Sequence, residues 1–195
     1  LEPIGIQTYR WERDAQDIPI GGWGLRLAPR DMARLGYLYL HGGSWLEGDK
    51  KEGESWHFLT GAGFLLVSVN YRLADDSLRF PAMIEDVKCA VRHLRANAGL
   101  YNLDPQRIAI MGWSAGGHLA ALAGTADESA GWEVGEYLDQ SSRVQAVVSI
   151  AGLADLTRPV NALLTQSIYY AFGDPAGTLS PLLQTASPVT YITAD

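Results

Sequence analysis

The sequence predicts an α/β architecture: a mainly parallel sheet with helices on both faces. Three observations carry this. Short apolar bursts of strand length recur from about Gly36 onward, and segments with helical spacing of apolar residues lie between them. Strands joined through helices of roughly ten or more residues run parallel, and the crossovers cover both faces of the sheet. At 195 residues, 47% of them hydrophobic, the chain also has the length and apolar share of one domain with one core.

The elements follow in chain order. Residues 7–12 and 23–27 read as strands flanking the Ile18-Pro19-Ile20-Gly21-Gly22 turn, and residues 29–35 as a helical turn leading into a strand at Gly36-Tyr37-Leu38-Tyr39-Leu40. Short apolar runs fit helix or strand, so these first assignments stay open. Phe64-Leu65-Leu66-Val67-Ser68-Val69 is a continuous run bounded by Gly63 and Asn70, the form of a strand buried on both faces. Pro81 opens a helix where its missing donor costs nothing. Ile84, Val87, Val91 and Leu94 form one apolar stripe along it, and Gly99 closes it. Residues 107–113 are the next strand, and an Ala/Leu/Gly-rich helix spans 114–124. A third buried strand spans 144–150 after a loop of some twenty residues, and residues 162–172 are helical.

Composition excludes several classes of function. Fifteen basic residues against 22 acidic ones give a net charge of −7, which argues against nucleic acid or an anionic membrane surface as partner. The single cysteine, Cys89, allows no internal disulfide. No uncharged apolar run approaches the ~18 residues of a membrane helix. The chain starts Leu1-Glu2-Pro3-Ile4-Gly5, without Met or a signal-type stretch, so it reads as processed or cut from something longer. A cytoplasmic, acidic, single-domain protein is expected, with no cofactor and no metal.

Gly112-Trp113-Ser114-Ala115-Gly116 fits G-x-S-x-G. Alone the pattern is weak, but here it falls where a buried strand ends and a small-residue helix begins, as a nucleophile elbow requires. Glycine on either side lets the chain turn sharply and lift Ser114 Oγ past the sheet edge. The Ala115 amide, at the helix start, then points toward an oxygen that gains negative charge during acyl transfer. His41-Gly42-Gly43-Ser44-Trp45 follows the 36–40 strand, and small residues there let backbone N–H groups reach a carbonyl, the other half of an oxyanion hole. His-Gly-Gly in isolation would be an ordinary turn; paired with the elbow it is specific.

These words carry a resemblance. They are joined by Gly48-Asp49-Lys50, Asn70-Tyr71-Arg72-Leu73, Phe80-Pro81-Ala82 with Glu85-Asp86, Leu103-Asp104-Pro105 with Arg107-Ile108, and Gly112 through Ala120. From about Leu40 onward the chain resembles α/β-hydrolase carboxylesterases of the hormone-sensitive-lipase-like group, nearest their feruloyl/acetyl-esterase-like branch. The resemblance implies an α/β-hydrolase fold and Ser114 as nucleophile. It implies Gly43, Ser44 and Ala115 as oxyanion donors, and His41, Gly42, Gly112 and Gly116 as supporting motif residues. The third glycine usual in the oxyanion word is Ser44 here. Residues 21–40, from Gly21-Gly22-Trp23-Gly24 onward, resemble instead penicillin-binding-protein-like serine hydrolases related to class C β-lactamases. That points to a chimera joined at Leu40-His41-Gly42-Gly43, without the S-x-x-K or K-T-G of that second family.

A serine nucleophile needs a base, and the base an orienting carboxylate. Of His41, His57, His93 and His118, only His118 follows Ser114, four residues on and in the same helix, where the resemblance implies a packing role. In the family the acid and base lie beyond a segment like Ser187-Pro188-Val189-Thr190-Tyr191, and this chain stops at Asp195, so it reads as truncated on that side. Asp155, Asp174 and Asp195 read as loop and capping residues, Glu85 and Asp86 as ion-pair partners. Cys89 and His93 share a helix face but supply only two ligands. Trp45 and Trp113 flank the site and fit either an acyl pocket or the core. Three readings remain: a carboxylesterase acting on short-chain or aryl esters, an inactive α/β-hydrolase module used for binding or assembly, and a chimera without function. The 144–150 strand is expected to leave an unpaired edge for a second copy, a partner fragment or the chain's own N-terminal segment to occupy.

Overall fold

A computed structural model describes residues 35–192 together with Tyr9–Trp11 and Leu25–Leu27. Strands β1 (Tyr9–Trp11) and β2 (Leu25–Leu27) form an antiparallel pair with Tyr9 opposite Leu27, shorter than the two expected strands but in the same places. The turn expected at 18–22 and the helical turn at 29–34 lie outside the described residues; Leu35 itself is not helical.

The main sheet has four strands: β3 (Gly36–Leu40), β4 (Leu65–Val69), β5 (Ile108–Trp113) and β6 (Ala146–Ile150), in the order β4-β3-β5-β6 and all parallel. Leu38 lies opposite Val67 on one side and Ile110 on the other. Leu38, Tyr39 and Leu40 of β3, and Ile108 through Met111 of β5, are all buried. Successive strand side chains point to opposite faces, so both faces of the two central strands are covered, as the apolar runs require. The outer strand β6 differs. Ala146 through Ser149 are exposed on both faces, with Val147 at 39% and Val148 at 40%, and among the described residues nothing pairs with its outer edge.

Three expected helices are present with small shifts at their ends. Helix α2 (Ala82–Ala96) buries Ile84, Val87, Val91 and Leu94 against the sheet. Pro81 is its N-cap rather than its first residue, and Asn97 ends it before Gly99. Helix α3 (Ala115–Thr125) has Ser114 as N-cap, and α4 (Ala162–Phe172) is capped by the Asn161 side chain and by left-handed Gly173, where the sequence places it. A 3-10 turn over Lys50–Trp56, helix α1 (Phe58–Gly61) and helix α5 (Pro181–Thr185) have no periodic signal in the sequence, being too short to show one.

Two groups of motif residues hold loops in place. The Asn70 amide donates to Asp49 Oδ2 (3.1 Å) and accepts from Lys50 N–H (2.6 Å), which ties the end of β4 to the turn after β3. Arg72 meets Glu85 (3.1 Å) and Asp86 (2.8 Å) at the start of α2, the ion pairs expected of those carboxylates. The loop over 126–143 is pinned by the inner face of α2. Buried Lys88 and Arg92 both bind Glu133, and Arg95 donates to the Arg143 carbonyl at 2.7 Å.

Candidate active site

Strand β5 delivers Ser114 to the C-terminal edge of the sheet, and the turn into α3 holds it at φ 53°, ψ −115°. A non-glycine residue there carries about 1–3 kcal/mol of backbone strain, which only firm anchors maintain. The anchors are visible. Ser114 N–H donates to the Ile150 carbonyl at 2.8 Å, and the Ser114 carbonyl accepts from His118 N–H at 2.9 Å. A Cβ on Gly112 would sit 2.2 Å from the Gly116 carbonyl oxygen, and one on Gly116 would sit 2.2 Å from that of Leu40. The first turn of α3 therefore rests directly on the backbone at the end of β3, and glycine at both positions is what permits it.

The second glycine word lies against this turn. A Cβ at Gly42 would be 3.7 Å from Ser114 Cβ and 3.2 Å from Trp113 Cδ1. Beyond it the chain runs through three consecutive left-handed residues: Gly43 (φ 102°), Ser44 (φ 55°) and Trp45 (φ 64°). Ser44 thus takes the conformation that a third glycine would adopt without strain. The Gly43 carbonyl closes the loop by accepting from Leu46 and Glu47 N–H, both at 3.0 Å. Among the described residues, the N–H groups of Gly43, Ser44 and Ala115 have no acceptor, and Ser114 Oγ makes no hydrogen bond. Ala115 N–H is also at the positive end of a helix.

His41 supports this loop from beneath. Its buried ring stacks on Tyr71 at 4.3 Å and donates from Nδ1 to the Gly42 carbonyl at 2.8 Å. Tyr71 donates its hydroxyl to the His41 carbonyl at 2.9 Å, and burial raises its phenol pKa. Glu52, on the 3-10 turn, accepts from Gly42 N–H at 3.2 Å.

His118 is fully buried. Its Nε2 is 2.8 Å from the Ala186 carbonyl, which can only accept, so Nε2 carries the proton. Nδ1 is then an acceptor, and it receives the Trp45 indole N–H at 3.2 Å. Burial pushes its pKa down to about 4, opposed only by the Ala186 carbonyl. With both nitrogens occupied, His118 has no lone pair free for the Ser114 proton.

Among the described residues, no other candidate group hydrogen-bonds Ser114 Oγ. The Asp155 carboxylate accepts from Thr157 N–H at 2.9 Å, and Asp174 follows the cap of α4. Asp195 is outside the described residues. Cys89 Sγ approaches the Glu136 carbonyl, while His93 lies between the Tyr101 (3.0 Å) and Tyr137 (3.3 Å) hydroxyls. Trp45 is buried and Trp113 is 49% exposed. A polar cleft of about 550 Å³ opens at the far end of α3, lined by Lys88, Asp127, Glu133, Ser142 and Arg143; Ser114 is not part of it.

The BD-FAE family profile matches residues 36–195. The chain belongs to the BD-FAE family. Among its relatives, a probable carboxylic ester hydrolase, LipM, from Mycobacterium tuberculosis is 35% identical over 79% of this chain and 37% of its own length. An ethyl acetate hydrolase from Pseudomonas putida is 36% identical over 56% of this chain and 35% of its own length. Among solved structures, a bifunctional GH43-CE protein from Bacteroides eggerthii superposes with a TM-score of 0.69 at 34% identity, covering 82% of this chain and 23% of that one. A truncated carbohydrate esterase from gut microbiota gives 0.67 at 25% identity, covering 96% and 73%. The fold is the α/β-hydrolase fold that the sequence implied. The chain spans little more than a third of the length of the curated relatives named above. The family match begins at Gly36 and so takes in β3, one of the two central strands of the sheet.

Three features of the site escape sequence reasoning: the Trp45–His118 bond, the Glu52 contact to Gly42, and the left-handed pair Ser44–Trp45. The first joins residues 73 apart, and only the aromatic in the oxyanion word hinted at it.

Proposed function

We propose that this BD-FAE chain is a serine carboxylic-ester hydrolase acting on short-chain or aryl esters. Ser114 Oγ attacks the ester carbonyl carbon and the alcohol departs, leaving an acyl-serine that water then cleaves to the acid and free serine. The Gly43, Ser44 and Ala115 amides receive the negative charge that gathers on the carbonyl oxygen. The observation that carries this reading is Ser114 held at φ 53° between β5 and α3, with Gly42 packed against it. Relatives named as esterases favour it over a binding module. The base that takes the Ser114 proton is a group other than His118, whose ring nitrogens are both engaged.

The test is p-nitrophenyl acetate hydrolysis by the 195-residue chain. Turnover orders of magnitude below the ~1–10³ s⁻¹ of competent enzymes is expected, abolished by Ser114→Ala. Activity unchanged in Ser114→Ala would overturn the assignment.

Two further parts belong to this reading. The bare edge of β6, Ala-Val-Val-Ser-Ile without charge or proline, pairs with a second copy of the chain, and a monodisperse monomer by light scattering would contradict it. The cytoplasmic location rests on the lone Cys89, and the chimeric origin on the resemblance of residues 21–40; a continuous reading frame shared with an esterase relative through that segment would contradict the chimera.

A further inference from the structure

We infer that His118 is a positioning residue for the oxyanion loop, acting through the Trp45 indole N–H. This rests on the esterase reading of the same site. Ser44 and Trp45 are both strained, and a strained pair keeps its shape only if the side chains on either side of it are fixed. Trp45 is 2% exposed and held in three ways. Its indole N–H donates to His118 Nδ1, its ring meets Phe172 edge-on at 5.1 Å, and its carbonyl accepts from Ala74 N–H at 2.8 Å. The indole bond alone reaches the elbow helix, because His118 sits one turn into α3, where its own N–H binds the Ser114 carbonyl. On its other side His118 Nε2 is fixed by the Ala186 carbonyl, which chooses the tautomer that leaves Nδ1 free to accept.

One imidazole thus couples the two halves of the oxyanion hole, Ser44 through its neighbour Trp45 and Ala115 through α3, to the segment after α5. Among the described residues nothing titratable faces the ring: its neighbours are the Trp45 and Phe172 rings and a backbone carbonyl. A packing role would need only the volume of the ring; a positioning role needs the acceptor at Nδ1.

That difference is testable with paired variants. Asparagine places a carbonyl oxygen near the Nδ1 position and can still accept from Trp45, whereas glutamine places its amide near Nε2 and keeps only the link to Ala186. The readouts are the rate of Ser114 modification by a fluorophosphonate and amide hydrogen exchange over residues 43–46. His118→Gln and Trp45→Phe are expected to slow modification by on the order of tenfold, the worth of about one hydrogen bond, and to speed exchange. His118→Asn should stay within about threefold of the parent in both. A ranking by lost volume, with His118→Asn the most impaired, would overturn the proposal, as would unchanged rates and exchange in all variants. If the parent chain is not modified at Ser114, the esterase reading falls, and the exchange data still decide whether the indole–imidazole bond holds the loop.

Discussion

The two ends of α3 are built by different means. At its start, Ser114 and the Gly42–Trp45 loop are held by backbone approach: glycines that admit carbonyl oxygens where a Cβ would sit, and four residues at positive φ. At its other end, about 16 Å away along an eleven-residue helix, the 126–143 loop is held by side-chain charge, with buried Lys88 and Arg92 sharing Glu133 and Lys88 also donating to Ser142 Oγ. The first construction sets atoms to a fraction of an ångström and tolerates no added carbon. The second tolerates changes of shape but no loss of a charge, since each buried cation would be left unpaired.

Variants can separate these two ends, and the largest effect on stability is expected at the charged one. Glu133→Ala leaves Lys88 and Arg92 buried without a counter-charge and should cost roughly 3–5 kcal/mol in urea unfolding, while the folded fraction keeps its fluorophosphonate reactivity. Acidification acts next. His118 is neutral in the folded chain, with a pKa of about 4 against 6.5 when free, so the unfolded chain binds the extra proton first. Its contribution is complete above pH 6.5 and drains away as pH falls toward 4, a loss of about 3 kcal/mol that urea midpoints across this window will show and that His118→Asn should remove. Gly43→Ala follows at about 2–3 kcal/mol, because at φ 102° its Cβ would lie 2.0 Å from the Glu47 carbonyl oxygen and the backbone itself must shift; it should also reduce serine reactivity more than Glu133→Ala does. Arg72→Ala comes last: its ion pairs with Glu85 and Asp86 are partly exposed, and under about 1 kcal/mol is expected by thermal unfolding.

The same contrast explains what the sequence made legible. Gly112, Gly116, Gly42 and Gly43 record close backbone approach within two short words, so both halves of the site could be read directly. The buried runs of β3 and β5 were as clear, because a strand covered on both faces has no polar alternation to confuse with anything else. The charged anchors were not legible. Lys88 and Glu133 are 45 residues apart, and a lysine on a helix reads as solvated until its partner is known. The Trp45–His118 bond was hidden for the same reason, and the 3-10 turn that carries Glu52 to Gly42 is too short to leave a period. Ser44 stands where the resemblance has a third glycine, and the fold puts it in the left-handed region anyway, with Trp45 beside it held in the core.

The central claim is that Ser114 and three backbone amides form one acyl-transfer site. A crystal structure of the chain after reaction with a fluorophosphonate tests it most directly. The account predicts a covalent adduct on Ser114 Oγ, with the phosphoryl oxygen about 2.7–3.1 Å from the nitrogen of Ala115 and from that of Gly43 or Ser44. An adduct on another residue, or a phosphoryl oxygen on Ser114 turned away with all three amides beyond about 3.5 Å, would contradict it.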